Sequence, residues 1–379
     1  MRDLLLRRRN LLMKKQEELN IRSVCFEADG EQTVSITKVG SAPDITMQYS
    51  YDGVNWDAWD LSALQFGGST KVYIRGIGNT RFGADASYYN KITFSTDAFV
   101  YVSGIVESLL DGENEVLTFS YSHSLRNLFH QQTALRSAEN LRFEAQSTGN
   151  SNVNNVYALM FDGCTNLLYA PKVLPATTLA PNCYQYMFRN CTSLVNAPEL
   201  PATALASNCY NNMFNGCTSL VNAPALPATT LAPNCYQYMF DGCTSLVNAP
   251  ALPATTLASY CYGYMFRNCT NLLYAPKVLP ATTLSSYCYQ SMFSGCTNLV
   301  NAPELPATAL KSYCYHNMFS GCTSLKTIRC RAKSTSTNST YKWVFGVQTE
   351  GTFYGHSEFG WSSGANGIPT TWTFEELTN

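Results

Sequence analysis

Cysteine is the residue type whose number and spacing first suggest chemistry in this chain. The sequence holds 15 cysteines, and each complete repeat places two of them eight residues apart in the pattern CYxxMFxxC. Thiolates ligate zinc and take part in redox reactions. Most of them form two periodic columns: Cys183, Cys209, Cys235, Cys261, Cys288 and Cys314, and Cys164, Cys191, Cys217, Cys243, Cys269, Cys296 and Cys322. Zinc arrays use closer pairs, so we expect small buried apolar groups, with zinc sites or intra-repeat disulfides as the alternatives.

Motifs for other kinds of catalysis are not recognisable. The histidines, His123, His130, His316 and His356, are scattered, and none lies in an HExxH motif or beside a cysteine pair. The sequence GHSEF from Gly355 lacks the final glycine of a nucleophile elbow. Neither a P-loop nor a dinucleotide-binding fingerprint occurs. We therefore expect a protein that is not an enzyme and needs no cofactor.

Composition excludes several classes of partner. The net charge is −1 and only 13% of residues are charged, so we expect no nucleic-acid binding. No segment has the roughly 20 apolar residues of a membrane helix, so we expect no membrane insertion. The first residues, MRDLLLRRRNLLMKKQEELN, do not read as a secretion signal, which predicts synthesis and retention in the cytoplasm.

The cysteine columns belong to a repeat of 26 residues, MFxxCTSLVNAPxLPATxLxxxCYxx. It lengthens to 27 at Lys172–Val173 and at Lys277–Val278. Self-similarity at such a period predicts a solenoid, in which each unit buries a face against its neighbours. We expect the phenylalanine of each Met-Phe pair and both cysteine columns to be inaccessible to solvent. A degenerate unit from Leu128, with Phe129 and Gln132 in the Phe and Cys places, predicts an N-terminal cap.

Two expectations concern the backbone within a unit. The proline of the NAP sequence cannot donate to a strand ladder, so we expect a short or interrupted strand around 193–196. The ATxLxxxCYxxMF segment predicts one or two turns of helix.

Tyrosines mark a candidate contact surface. The tyrosine that follows the first cysteine column recurs at Tyr184, Tyr210, Tyr236, Tyr262, Tyr289 and Tyr315, and we expect it to be packed at least partly inside. The position two residues later varies, and there Tyr186, Tyr238 and Tyr264, with Arg189 and Arg267 nearby, form the candidate ligand-contact surface. Aromatic rings on a surface of low charge suit glycan or protein binding.

The first twenty residues predict an anchor. Leu5, Leu12 and Leu19 recur every seven residues and give one apolar face to a helix over 2–20. Early arginines, Arg7, Arg8 and Arg9, oppose the helix dipole, so such a helix needs a partner. We expect docking or homo-oligomerisation through this segment. The alternative is a disordered, tag-like start.

The order of LP, L, F, C and L in LPATTLASYCYGYMFRNCTNL, from Leu252 to Leu272, resembles the BspA-like leucine-rich-repeat surface proteins. The resemblance runs over roughly 124–372. This unit is about three residues longer than the common form, and APxLP replaces the usual aliphatic strand. The resemblance implies a surface-exposed adhesion or interaction protein and names no ligand.

Five regions follow from these patterns. We predict a mainly β and irregular fold: an N-terminal helix over 1–20, a small β-sandwich over 21–106, a linker with the degenerate cap unit over 107–159, a leucine-rich-repeat solenoid of about seven units over 160–325, and a C-terminal cap over 326–379. In the β region, alternating residues up to Asp52-Gly53 predict a hairpin with a type I′ turn.

Two functions compete on this evidence. The first is a virion protein of a phage that infects gut Bacteroidales, made in the host cytoplasm. Its N-terminal segment would join capsid or tail proteins, and its repeats would contact a host surface glycan or protein as a fibre or decoration. The second is an adhesin on the bacterial cell surface that binds host proteins.

Overall fold

The computed structural model describes residues 22–116, 118–149, 152–334, 336 and 338–377. This part of the chain consists of short strands and turns, with two 3-10 turns at Val106–Leu109 and Ser357–Phe359. The predicted mainly β and irregular class is confirmed. The described residues contain no helix with the length and apolarity that crossing a bilayer requires. The predicted anchor, with Leu5, Leu12, Leu19, Arg7, Arg8 and Arg9, lies outside the described residues.

Two sheets pack face to face in the N-terminal module. Its strands are β1 (Val24–Ala28), β2 (Gln32–Val39), β3 (Met47–Ser50), β4 (Asp57–Trp59), β5 (Leu64–Phe66), β6 (Val72–Gly76), β7 (Tyr89–Phe94) and β8 (Val100–Ile105). One sheet runs β4-β3-β6-β1-β8 and the other runs β5-β2-β7. Alternation along β1 turns Phe26 inward. Its ring centroid lies 5.6 Å from that of Phe94 and 6.2 Å from that of Phe66, across the sandwich.

The β3–β4 hairpin has a longer turn than predicted. A type I′ turn has two central residues, whereas residues 51–56 separate the two strands here. Asp52 explains the wider loop, because its Oδ1 accepts hydrogen bonds from the backbone N–H groups of Val54 and Asn55, both at 2.8 Å. An aspartate that bonds the backbone two or three residues ahead stabilises this kind of turn.

The sheet of the N-terminal module continues into the repeats. Strand β8 pairs in parallel with β9 (Leu135–Arg142), the first strand of the repeat region. Parallel bridges then join successive units through Ser137, Tyr169, Asn196, Asn222, Asn248, Tyr274 and Asn301. The ladder ends in the parallel strands β10 (Asn301–Leu305), β11 (Thr327–Cys330), β12 (Thr352–Gly355) and β13 (Thr373–Glu376). One hydrophobic core runs through both parts.

Proline limits the strands of the middle units, as predicted. In the unit that contains Pro198 the strand is reduced to isolated bridges at Asn196 and Glu199. These bridges lie on either side of the proline, which has no N–H to donate. On the strand side of the middle units, single bridges between layers therefore position the side chains.

The segment on the other side of each unit is not helical, which corrects the prediction of one or two helical turns. We call this segment, for example 182–190, the turn arm. Alternate N–H groups bond within the arm, as Met187 N does to Tyr184 O at 3.2 Å, and the others bond to the next layer, as Tyr184 N does to Cys209 O at 3.0 Å. A helix would use its interior N–H groups within the segment. In the turn arm, half of these N–H groups instead donate to carbonyl oxygens of the next layer.

Side chains of the turn arm build the core in columns. Phenylalanine rings from Phe129 to Phe319 stack at centroid separations of 5.2 to 5.8 Å, and tyrosine rings from Tyr157 to Tyr315 stack at 5.5 to 6.0 Å. Both ring columns and both cysteine columns are buried. The predicted core is confirmed, and Phe129 of the degenerate unit begins the phenylalanine column.

Candidate functional site

Each turn arm holds three residues in the left-handed backbone region, four residues apart. Nine such arms lie in the described residues. Their second left-handed positions are Asn127, Leu159, Tyr186, Asn212, Tyr238, Tyr264, Ser291, Asn317 and Lys342, with φ between 50° and 60°. Asparagine and glycine tolerate this conformation best. The spacing of Asn and Gly along CYxxMFxx was the sequence signal for this backbone, and the helix prediction overlooked it.

The structure brings the predicted contact residues to one surface. Tyr186, Tyr238 and Tyr264 occupy the same left-handed position in three arms, and all three are half-buried. The rings of Tyr238 and Tyr264 stack with centroids 4.4 Å apart. The ring of Tyr186 has no such stacking partner in the next arm, because Asn212 occupies this position there.

The two predicted arginines lie against these rings. The guanidinium carbon of Arg189 is 4.5 Å from the centroid of Tyr186. That of Arg267 is 5.1 Å from Tyr238 and 5.2 Å from Tyr264. A guanidinium over an aromatic face is attracted by the ring's electron density. Arg267 therefore covers two rings of the surface that we call the tyrosine–arginine face: Tyr186, Arg189, Tyr238, Tyr264 and Arg267.

Both arginines are neutralised by buried aspartates of the preceding layer. Arg189 donates from Nε and Nη2 to the two carboxylate oxygens of Asp162, each at 2.8 Å. Arg267 donates in the same way to Asp241, at 3.0 and 2.6 Å. Donating these hydrogen bonds to a carboxylate raises the pKa of each arginine. The tyrosine–arginine face thus combines fixed guanidinium donors with almost no net charge.

A second tyrosine track runs beside this face and was missed at the sequence level. Tyr260, Tyr287 and Tyr313 occupy the first left-handed position of three successive arms, where the four arms before them have asparagine. Their ring centroids are 4.5 and 4.7 Å apart. The signal was the tyrosine directly before the cysteine in the SYCY sequences. Stacking covers most ring faces in both tracks, so a ligand would meet ring edges and phenol hydroxyl groups.

The cysteines serve packing in the described residues. In the second column each thiol lies 3.0 to 3.1 Å from the carbonyl oxygen of the phenylalanine one layer earlier, to which it donates. Burial raises the pKa of Cys164 and of Cys183 to about 12. A protonated, enclosed thiol is neither a ready nucleophile nor a metal ligand. Among the described residues no cluster of three or more metal-ligating side chains is present.

A cleft of about 720 Å³ lies where the N-terminal sheet meets the first layers. Cys25 and Leu141 contribute to its wall. Its lysines are paired: Lys71 lies 3.1 Å from Glu27, and Lys172 lies 3.6 Å from Glu139. The first pair lies within the N-terminal module and the second within the first repeat layers, so each lysine at this cleft has an acidic partner in its own part of the chain.

The repeat geometry agrees with comparison to known families. A family model described as BspA type Leucine rich repeat region matches in six copies, over residues 145–272, 174–299 and 262–345. Together these matches span more than half of the chain. The chain belongs to this family. The matched BspA-type repeats contain the tyrosine–arginine face and the second tyrosine track. None of the curated proteins matches the chain.

Proposed function

We propose that the chain is a non-enzymatic adhesion protein whose BspA-type repeats form a solenoid, with the tyrosine–arginine face as its contact surface. Its ligand is a glycan or protein on a host surface. The observation that carries this proposal is the placement of three tyrosines at one left-handed backbone position, where the other arms have asparagine, serine, leucine or lysine.

The placement has a conformational cost. A left-handed backbone costs most residues about 1–2 kcal/mol, while asparagine adopts it more readily. Stacking of Tyr238 on Tyr264 offsets a comparable amount, about 0.5–1.5 kcal/mol. Tyr186 has no stacked tyrosine at its position, yet its ring is retained and partly accessible. The guanidinium of Arg189, 4.5 Å from its centroid, stabilises one side of this ring, and we propose that a ligand contacts its accessible part.

The chemistry of the face favours a neutral partner. Each guanidinium is paired with a buried carboxylate, so the face has no excess charge that would attract a polyanion. Phenol hydroxyl groups and ring edges offer hydrogen bonds and apolar contact together, at small conformational cost. Neutral glycans and uncharged protein surfaces match that combination.

The structure on which the protein is displayed is proposed from the sequence. We propose a phage particle that displays the repeats as a fibre or decoration, held through residues 1–20. A bacterial cell surface is the second candidate. Mass spectrometry of purified particles and of cell-envelope fractions separates them, and absence of the protein from both would contradict both settings.

Asparagine substitutions test the contact surface with little structural change. The variant Tyr186→Asn/Tyr238→Asn/Tyr264→Asn introduces the residue that Asn212 already places at this position. We expect the thermal unfolding midpoint to stay close to that of the parent, and binding to a glycan array and to intact host bacteria to be lost.

Asn212→Tyr is the matched gain variant, because it fills the gap between Tyr186 and Tyr238. We expect it to strengthen binding to the same ligand. Unchanged binding by the triple variant, or a parent protein that binds neither glycans nor bacteria, would overturn the proposal.

A further inference from the structure

The stack continues into the predicted C-terminal cap with one more turn arm, residues 338–346. Its left-handed residues are Asn338, Lys342 and Gly346. The backbone register is that of the complete arms: Tyr315 N donates to Ser339 O at 2.9 Å, as Tyr289 N does to Cys314 O at 3.1 Å. Ser339 therefore occupies the position of the first cysteine column, and Thr340 occupies that of the tyrosine column.

These smaller and more polar residues border a pocket of about 480 Å³ at the end of the stack. Its lining includes Lys333, Ser334, Ser339, Tyr341, Phe359 and Trp361. Two aromatic rings of the core support Trp361. Its ring centroid lies 5.6 Å from that of Trp343, in a stacked arrangement, and 4.8 Å from that of Phe353, in an edge-to-face arrangement. The volume falls within the roughly 300–1,000 Å³ range of small-molecule sites.

Ser339 gives this pocket a buried polar group. The residue is 2% exposed, and within the described part of the chain its Oγ has no hydrogen-bond partner. A buried hydroxyl without a partner costs about 1–3 kcal/mol. In the six complete layers before it, cysteine fills this position without that cost. A ligand in the pocket would supply the missing partner.

The remaining lining identifies the class of ligand. The pocket has no carboxylate in its lining and one cation, Lys333. Hydroxyl groups of Ser334 and Ser362 have no side-chain partner within the described residues, and Asn366 uses only its carbonyl oxygen, which accepts from Lys342 N at 2.7 Å. Hydroxyl and amide groups beside aromatic rings match the hydroxyl groups and apolar C–H faces of a sugar.

We propose that this pocket binds a saccharide unit, with Ser339 as a hydrogen-bonding residue and Tyr341 as part of the aromatic wall. The site is separate from the tyrosine–arginine face. It stands whether or not that face binds a ligand.

Saturation-transfer NMR on the full chain tests this site. The probes are the methyl glycosides of glucose, galactose, N-acetylglucosamine and glucuronic acid, each at millimolar concentration. We expect at least one to bind, and binding of glucuronide alone would assign a role to Lys333. Ser339→Cys restores the column residue and should weaken binding roughly threefold to tenfold without loss of stability. Tyr341→Ala should weaken it by a similar factor.

Cys314→Ser is the matched control, since it places a hydroxyl group in the same column one layer away from the pocket. It should leave saccharide binding unchanged. Absence of binding by all four glycosides would overturn the proposal, as would equal binding by the parent and by both pocket variants. The triple asparagine variant of the tyrosine–arginine face should bind these glycosides like the parent, which separates the two proposals.

Discussion

Glu107→Gln should make the stability of this protein less dependent on pH. Glu107 is fully buried where the N-terminal module meets the first layers. Tyr157, the first ring of the tyrosine column, donates its hydroxyl to Glu107 Oε1 at 2.5 Å, and Ala145 N donates to the same oxygen at 3.4 Å. Within the described residues, Oε2 has no partner. Burial raises the pKa of Glu107 from 4.5 to about 7, against the opposing effect of these hydrogen bonds.

The sign of the pH dependence follows from which protonation state of Glu107 the folded protein favours. Because the folded pKa is raised, the fold favours the protonated acid, and stability is fully present below the unfolded pKa of about 4.3. Stability then falls as pH rises towards about 7, because the unfolded chain releases a proton that the folded protein retains, and the loss is complete once the folded group ionises as well. At about 1.4 kcal/mol per pKa unit, the loss reaches about 3 kcal/mol. Glutamine keeps the acceptor for Tyr157 and does not titrate.

The assay compares parent and Glu107→Gln by thermal unfolding and by hydrogen exchange of amides near Tyr157, from about pH 4 to about pH 8. The free-energy difference between the two proteins should shift by about 3 kcal/mol in favour of glutamine over this range. Replacing the carboxyl group by an amide can also change the free energy of unfolding by an amount that is the same at every pH. Such a change does not affect the shift between pH values. Tyr157→Phe removes a hydrogen bond that lowers the pKa of Glu107, so it should extend the loss to higher pH. A difference that stays the same at all pH values would refute this reasoning.

Three further predictions concern the stack. Phe240→Ala removes a fully buried ring and should cost on the order of 3–5 kcal/mol, seen as a lower unfolding midpoint; an unchanged midpoint would contradict the ring column. Iodoacetamide should label few of the buried thiols in the native state and all of them after denaturation, whereas rapid native labelling would contradict their enclosure. Arg267→Ala should cost about 1–3 kcal/mol, because among the described residues buried Asp241 would keep only the amide of Asn215 as a side-chain donor. Adding Asp241→Asn should recover most of that loss, and no recovery would show that the guanidinium acts through packing alone.

The repeat period was sufficient to predict the core. In a stack each unit contacts its neighbours through the same positions, so residues that recur at every period must be the ones that pack. Phe240 and the cysteine columns are buried for that reason. The interrupted strand beside Pro198 was equally predictable, because a proline has no N–H to donate to the ladder.

The backbone of the turn arm was harder to predict from one unit. The choice between a helix and alternating turns depends on whether half of the N–H groups find acceptors in the next layer, as Tyr184 N does in Cys209 O. An isolated unit has no such acceptors. The stack therefore selects a conformation that local propensity alone disfavours at Tyr186 and Tyr238.

By itself the sequence determined the repeat, the family resemblance, the residues of the core and the candidate tyrosines and arginines, because those depend on residue type and period. Tertiary structure alone decided what these residues do together. It stacked Tyr238 on Tyr264 beside Arg267 and buried Glu107 at the junction. It also placed the Ser339 hydroxyl beside a pocket, with no partner among the described residues. Such contacts join residues of different layers, and their energies depend on burial and on partners that spacing along one chain does not specify.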